Sequence, residues 1–349
     1  METLWYALLT CVFIAYVVLD GYDFGVGILS PFVARNETER LRLRTAIGPV
    51  WTGNEVWLIA GSALLFLAFP KAFAAGFSGF YLALMIMLWL LMGRGLAFEL
   101  REHGEHELWR GFWDGIFFLA NLLLAFVAGL LVGNLLRGVP LEADGYFFLA
   151  WWTDFRPGAQ PGLLDWFTLL TGATMVALLT LHGGSFLTMK TRGALQARTE
   201  KAVQSTLLML TPLLLALVVA VPFVQPFFGR HYKAAPIGSV LPLLAAVALL
   251  SRRLTPVRRR PVVGFAASSL LVAALLAAAA WGTFPNLLIA TTDQTHSLTS
   301  MTAAAERTGL EAGLWWVPAG LALVIVYQVW IHRLFSEPAN SDASSLTPP

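Results

Sequence analysis

Charged residues are scarce in this chain. Asp, Glu, Lys and Arg make up 13% of its 349 positions, against 57% hydrophobic. A globular domain of this length needs more polar surface to stay in water, so a soluble enzyme or binding module is excluded. Cysteine is almost absent: the single Cys11 rules out a disulfide framework within the chain, a Cys-x-x-Cys redox pair and a thiolate-held metal or iron–sulfur cluster. The formal net charge is only +2, and the basic residues are scattered, so nucleic acid is not a partner. No glycine-rich phosphate cradle is present, and no spacing argues for a Ser/His/Asp set. Of the six histidines, His103, His106, His231 and His296 fall between apolar runs and His332 lies near the end. Paired axial ligands for a haem are therefore missing, and no metal site is expected. His182, in "TLHGGSF", reads as a hydrogen-bonded helix residue rather than a ligand.

What fills the chain is apolar sequence in stretches of about 20 residues, hydrophobic all round as a lipid-facing helix requires and without the alternation of a β-barrel. Nine such stretches are expected, at about residues 4–30, 50–69, 76–98, 112–136, 162–188, 204–228, 236–251, 262–284 and 313–335. The seventh is the weakest, being short and holding Pro242. The fold class is all-α: a polytopic membrane helix bundle of about nine transmembrane helices. Residues 1–335 form a single transmembrane domain, and 336–349, rich in Ser, Pro and Ala, read as a disordered cytoplasmic tail. The first stretch has no Lys or Arg ahead of it and no small-residue cleavage site after it, and reads as a retained helix. Loops after the odd-numbered spans carry 17 of the 23 Lys and Arg, among them Arg35, Arg40, Arg42, Arg44 and the run Arg258, Arg259 and Arg260. The other loops carry only Lys71, Arg137, Arg156, Arg230, Lys233 and Arg307. By the positive-inside rule the N-terminus lies outside and the C-terminus is cytoplasmic.

Three stretches put polar groups into this apolar frame. "LDGYDFGVG", residues 19–27, places Asp20 and Asp23 within the first run. Three residues apart, they share one helix face. Gly21 and Gly25 beside them have the small-xxx-small spacing that lets a neighbouring backbone come close. A charge at bilayer depth costs about 3 kcal/mol on insertion scales, so these carboxyls should face protein or water, or be protonated. "GPVWTGNEVWL", residues 48–58, brings Thr52, Asn54 and Glu55 to the start of the second span; Pro49 suits a first turn and Glu55 suits the positive end of a helix dipole. "MGRGLAFEL", residues 92–100, ends the third span with Arg94 and Glu99, where a snorkelling Arg is ordinary. Each stretch alone has a packing explanation. Together they set Asp20, Asp23, Glu55, Arg94 and Glu99 at the cytoplasmic ends of three consecutive spans, and a hydrated, proton-conducting inlet is one use of such a set. On composition alone a secondary transporter or ion channel with intramembrane acids ranks first; a purely structural or assembly subunit is a third class.

With "FPKAFAAGFSGFY", "WDGIFF" and "GNLLRGVP", these stretches resemble subunit II of the cytochrome bd quinol oxidases, in order from about residue 19 to 140. Weaker similarity continues at "MKTRGALQART", 189–199, and "HSLTSMTAAAERTGL", 296–310. This ordered set moves the oxidase reading ahead of the transporter. The resemblance implies a haem-free subunit of a heterodimeric terminal oxidase in a bacterial inner membrane, in which two quinols reduce one dioxygen to two waters. The partner, subunit I, carries haems b and d and the quinol-oxidation loop. Subunit II holds that partner in the bilayer, contributes to proton uptake from the cytoplasm and is a candidate oxygen route. No catalytic residue is expected in this chain and no bound cofactor is assigned to it, although some family members lodge a structural quinone here. A small single-span subunit is a further candidate partner. The family commonly has Asp where this chain has Thr52, and that Asp is assigned to the proton route. Threonine can join a hydrogen-bonded wire but holds no titrating proton near neutral pH. Glu55 is the expected substitute, working with Asp20 and Asp23, with Thr52 and Asn54 along the path and Arg94 and Glu99 as a supporting polar cluster. The alternative is that protons travel wholly through subunit I and the acids serve packing.

Overall fold

The computed structural model describes residues 1–254 and 260–335. These form twelve α-helices: α1 (Glu2–Val33), α2 (Glu37–Ile47), α3 (Trp51–Ala68), α4 (Pro70–Gly79), α5 (Tyr81–Leu100), α6 (Glu107–Arg137), α7 (Trp166–Lys190), α8 (Gly193–Val224), α9 (Pro226–Ala234), α10 (Val240–Leu254), α11 (Pro261–Thr283) and α12 (Arg307–Leu334). A small antiparallel ribbon, β1 (Asn286–Leu288) with β2 (Leu298–Thr299), joins α11 to α12. Eight helices are long and apolar enough to cross a membrane, and α2 with α3, bent by 43° where they meet, makes a ninth path. The expected tail 336–349, and Arg258 and Arg259 of the basic run, lie outside the described residues.

Differences from the expected spans have local causes. α2 is short and mostly polar, with no apolar run to mark it. It starts where the Asn36 side chain accepts the Glu39 N–H, and Glu37 and Glu39 suit its positive end. The third stretch is two helices, not one: Pro70 opens α4 ahead of the expected start, and the chain turns at Phe80, which has φ −92° and ψ 17°. Gly79 lies against the Phe147 ring with no room for a Cβ. The sixth stretch stops at Val224 because Pro226 begins α9, with the Gln225 side chain accepting the Phe227 N–H. Pro242 is harmless, because it sits in the first turn of α10, where its missing N–H has no helical acceptor.

Buried at the centre is α7, with most of its residues inside the protein. It crosses α1 at two glycines. A Cβ on Gly25 would lie 2.8 Å from the Gly183 Cα and nitrogen, so the two backbones touch. Two residues on, a Cβ on Gly27 would come within 2.8 Å of the Asn121 Cβ on α6. These contacts let α6 and α7 close over the segment of α1 that carries the acids, as small residues do in membrane bundles. α7 begins with a capping box: Asp165 accepts the Phe167 and Thr168 N–H groups, and the Thr168 hydroxyl accepts the Asp165 N–H. Asp165 also pairs with Arg137 at the end of α6, both fully buried, which ties these two helices together at the opposite end of the bundle from the acids.

Gly183→Val should therefore block the α1–α7 crossing and cost more than the roughly 1–3 kcal/mol typical of overpacking, because backbone cannot move aside. Gly76→Ala, where an added Cβ meets nothing within 4 Å, should leave stability unchanged. Thermal unfolding of the two purified variants in the same detergent checks the contrast.

Candidate functional site

The polar residues of α1, α3 and α5 meet at the end of the bundle where α1 finishes. Asp20 is fully buried and accepts a hydrogen bond from Arg94 Nη2 at 2.6 Å. Arg94, itself 2% exposed, also packs over the Phe24 and Trp51 rings, its guanidinium carbon 4.8 and 5.6 Å from their centroids. Aromatic faces favour a cation in such a place. Asp23, one turn on, has no guanidinium of its own: its Oδ2 accepts from Asn54 Nδ2 at 2.8 Å. Asn54 is buried and fully used, since the same nitrogen donates to the Tyr22 hydroxyl at 2.7 Å and its Oδ1 accepts from Gln328 of α12 at 2.5 Å. Asp20 Oδ2, Asp23 Oδ1, Arg94 Nη1 and the Tyr16 hydroxyl remain buried without a hydrogen-bond partner among the described residues. Glu55 is half-buried at the edge of this group, within electrostatic reach of Asp20 and Arg94. One guanidinium thus stands among three carboxyls. An unbalanced negative charge is costly in low dielectric, so a proton reaching this cluster neutralises charge.

Two of the expected residues stand apart. Thr52 is exposed; it lies two positions before Asn54, about 200° around the helix, so when Asn54 points inward Thr52 points out. Glu99 is also exposed and follows Arg94 by five positions, about 140° around the same helix. It therefore does not join Arg94 in a cluster. Sequence reasoning missed Tyr22, Gln328 and His332. Tyr22 lies in plain view within "LDGYDFGVG", but its hydroxyl matters only once α3 and α12 are brought beside it. Also unforeseen is an ionic clamp at this end. Arg101 reaches Glu37 at 2.8 and 2.9 Å, Asp114 at 2.6 and 3.0 Å and Glu102 at 3.0 Å, which fixes α2 against α5 and α6.

Two further polar sites lie away from this cluster. His182 is completely buried, with Nδ1 bonded to the Ser268 hydroxyl at 2.8 Å, Nε2 donating to the Val18 carbonyl at 2.9 Å, and its ring stacked on Phe265 at 5.2 Å. Neither nitrogen is free to coordinate, so this site does not fit a haem. At the far end a cavity of about 600 Å³ opens between Arg137, Arg156, Trp166, Phe223, Gln225 and Thr291. Each nitrogen of Arg137 is already hydrogen-bonded, to Gly138, Gly162, Asp165 and Asn134.

A sequence model of the cytochrome bd terminal oxidase subunit II family matches residues 1–335. The chain belongs to that family. Among its relatives, subunit 2 of cytochrome bd-I ubiquinol oxidase from Escherichia coli K12 is 31% identical over 98% of this chain and 96% of its own length. Subunit 2 of cytochrome bd ubiquinol oxidase from Bacillus subtilis 168 is 30% identical over 96% of each. The solved structure of bd oxidase from Geobacillus thermodenitrificans contains a chain that matches at a TM-score of 0.73 and 18% identity, covering 96% of this chain and 98% of that one. At that identity it supports the fold. The relatives are subunits of oxidoreductase complexes, and this subunit II chain shares their multi-pass helical architecture.

Removing the guanidinium alone leaves Asp20 buried with no counter-charge. Arg94→Gln should destabilise the folded chain by about 3–5 kcal/mol. Adding Asp20→Asn should recover much of the loss, because both charges are then gone. Chemical denaturation of the wild type, both single variants and the double variant measures the coupling.

Proposed function

We propose that the chain is the haem-free subunit II of a quinol:oxygen oxidoreductase in a bacterial inner membrane. It holds a haem-bearing subunit I and takes up protons for the reduction of oxygen to water. The acid-bearing end of the bundle faces the cytoplasm, with the N-terminus outside. Family membership supports the oxidase over the transporter reading, and the 17-to-6 bias of Lys and Arg supports the orientation. When bound in the partner, haems b and d supply the electron transfer and the oxygen chemistry. The residues of this chain hold that partner and move protons.

The observation that carries the proton role is the buried pair Asp20 and Asp23, with Glu55 half-buried beside them, around the single guanidinium of Arg94. Packing alone would be served by Asp20 with Arg94; it does not call for a second buried carboxyl with an unpaired oxygen. Glu55, half-buried at the rim, stands between the exposed turn of Thr52 and the enclosed Asp20 and Asp23. It is therefore the group that exchanges protons with water, and the two aspartates are the inner acceptors. Thr52 marks the approach and Asn54 fixes Asp23 in position. No quinone is assigned to the far-end cavity.

Affinity-tagging this chain in its native membrane should co-purify one larger subunit with b- and d-type haem absorbance. In that complex Asp23→Asn should lower quinol oxidase turnover about tenfold or more and Glu55→Gln about twofold, with haem content unchanged. A colourless chain isolated alone, beside an intact haem-bearing oxidase, would refute the oxidase assignment. Unchanged turnover in both assembled variants would refute the proton role.

A further inference from the structure

α12 is the most exposed of the spanning helices, and only Leu310, Gly313, Val317 and Gln328 along it are buried. Its half nearest the acids docks through polar contacts as well as through the part-buried Val324 and Ile331. Gln328 and His332, four apart and so on one face, both point into the cluster. Gln328 Nε2 donates to Asn54, and His332 Nε2 meets the Tyr22 hydroxyl at 3.0 Å. His332 Nδ1 lies 2.9 Å from the Gln328 carbonyl. A carbonyl can only accept, so Nδ1 carries the hydrogen and Nε2 accepts from Tyr22. Tyr22 is held by stacking on Phe186, ring centroids 4.2 Å apart, and by edge contacts with Phe265 and His182, so its hydroxyl cannot swing away.

The geometry points to His332 as the group that collects protons at the end of α12 and passes them through the Tyr22 hydroxyl to Asp23. This rests on the proton-uptake role proposed for the acid cluster, and gives it a second inlet, on a helix separate from Thr52 and Glu55. His332 is half-buried in the last turn of α12, beside the exposed Arg333 and Leu334. Turning its ring outward brings Nε2 to water, where it gains one proton. Turned back, the imidazolium donates Nε2–H to the Tyr22 oxygen as the Tyr22 hydroxyl proton leaves toward Asp23. The proton count balances: His332 returns to neutral, Tyr22 keeps one hydrogen and Asp23 gains one. Tyr22 Oη and Asp23 Oδ2 are bonded to the same Asn54 nitrogen, which puts them about 5 Å apart, a gap that one water closes. Asn54 itself carries no proton and acts by positioning the two oxygens. The groups facing His332 are Tyr22 from α1, Gln328 from its own helix and, at longer electrostatic range, the Lys190 cation of α7. On α7, Lys190 donates to the Phe335 carbonyl at 2.5 Å, three residues beyond His332. A polar anchor alone would account for the hydrogen bonds, but not for the choice of a side chain that can carry a proton.

The test uses the assembled oxidase, with turnover measured from acid to alkaline pH. His332→Gln keeps an acceptor for Tyr22 but cannot carry a proton. It should slow turnover about twofold on the alkaline side, where protons are scarce, and less at acid pH, because the Glu55 inlet still carries protons. His332→Ala should show the same loss and be restored by imidazole in the buffer. Tyr22→Phe should be slow with or without imidazole. Wild-type turnover and pH profile in both His332 variants, together with a slow Asp23→Asn variant, would overturn the inlet while leaving proton uptake by the acids in place. Wild-type behaviour of Asp23→Asn as well would overturn the underlying role. If His332→Ala does not assemble, His332→Gln decides alone, because it preserves the contact with Tyr22.

Discussion

Everything at the functional end of this bundle follows from the burial of more carboxyls than cations. Arg94 and Asp20 form a pair at 2.6 Å, both essentially inaccessible, and each would be prohibitive in that place without the other. Asp23 is different in kind. Buried as deeply, it has one amide donor and one unpaired oxygen. The cation is held over two aromatic rings and by the pair itself, so it cannot move to serve both carboxyls. A fixed cation with a surplus of acids is what the proposed proton role requires.

The packing exists to make that burial possible. Backbone contact between Gly25 and Gly183, and the approach of Asn121 to Gly27, bring α6 and α7 across the acid-bearing segment of α1. Side chains of ordinary size there would hold the helices apart and admit lipid or bulk water. At the rim, the Arg101 network with Glu37, Glu102 and Asp114 clamps α2 over the same end. The carboxylates of this network are partly exposed, and such pairs are individually worth little; their value is geometric, since they connect three helices through one guanidinium.

Much of this is legible in the residues. Nine apolar stretches, the oxidase family and the convergence of Asp20, Asp23 and Arg94 can all be read from hydropathy and from acids placed where lipid would reject them. Helix phase also separates Glu99 from Arg94, five residues and about 140° apart, and Thr52 from Asn54. Grouping those residues by depth alone uses only one of the two coordinates a helix gives. What cannot be read is contact between distant segments. Tyr22 and His332 are 310 positions apart, and nothing local to "WIHRLF" marks that histidine as facing a polar interior. The break at Phe80 and the start of α2 are obscure for the opposite reason: apolar runs hide turns, and charged runs hide short helices.

The most direct test of the central claim, that these acids exchange protons during oxidase turnover, is redox-triggered infrared difference spectroscopy on the assembled complex in the carboxylic-acid carbonyl region. A protonated-carboxyl band that appears or shifts on reduction in the wild type, and is lost in Asp23→Asn with the haem signals unchanged, is the predicted result. A difference spectrum with the same carboxyl bands in the wild type, Asp23→Asn and Glu55→Gln would contradict it and leave the acids with a purely structural role.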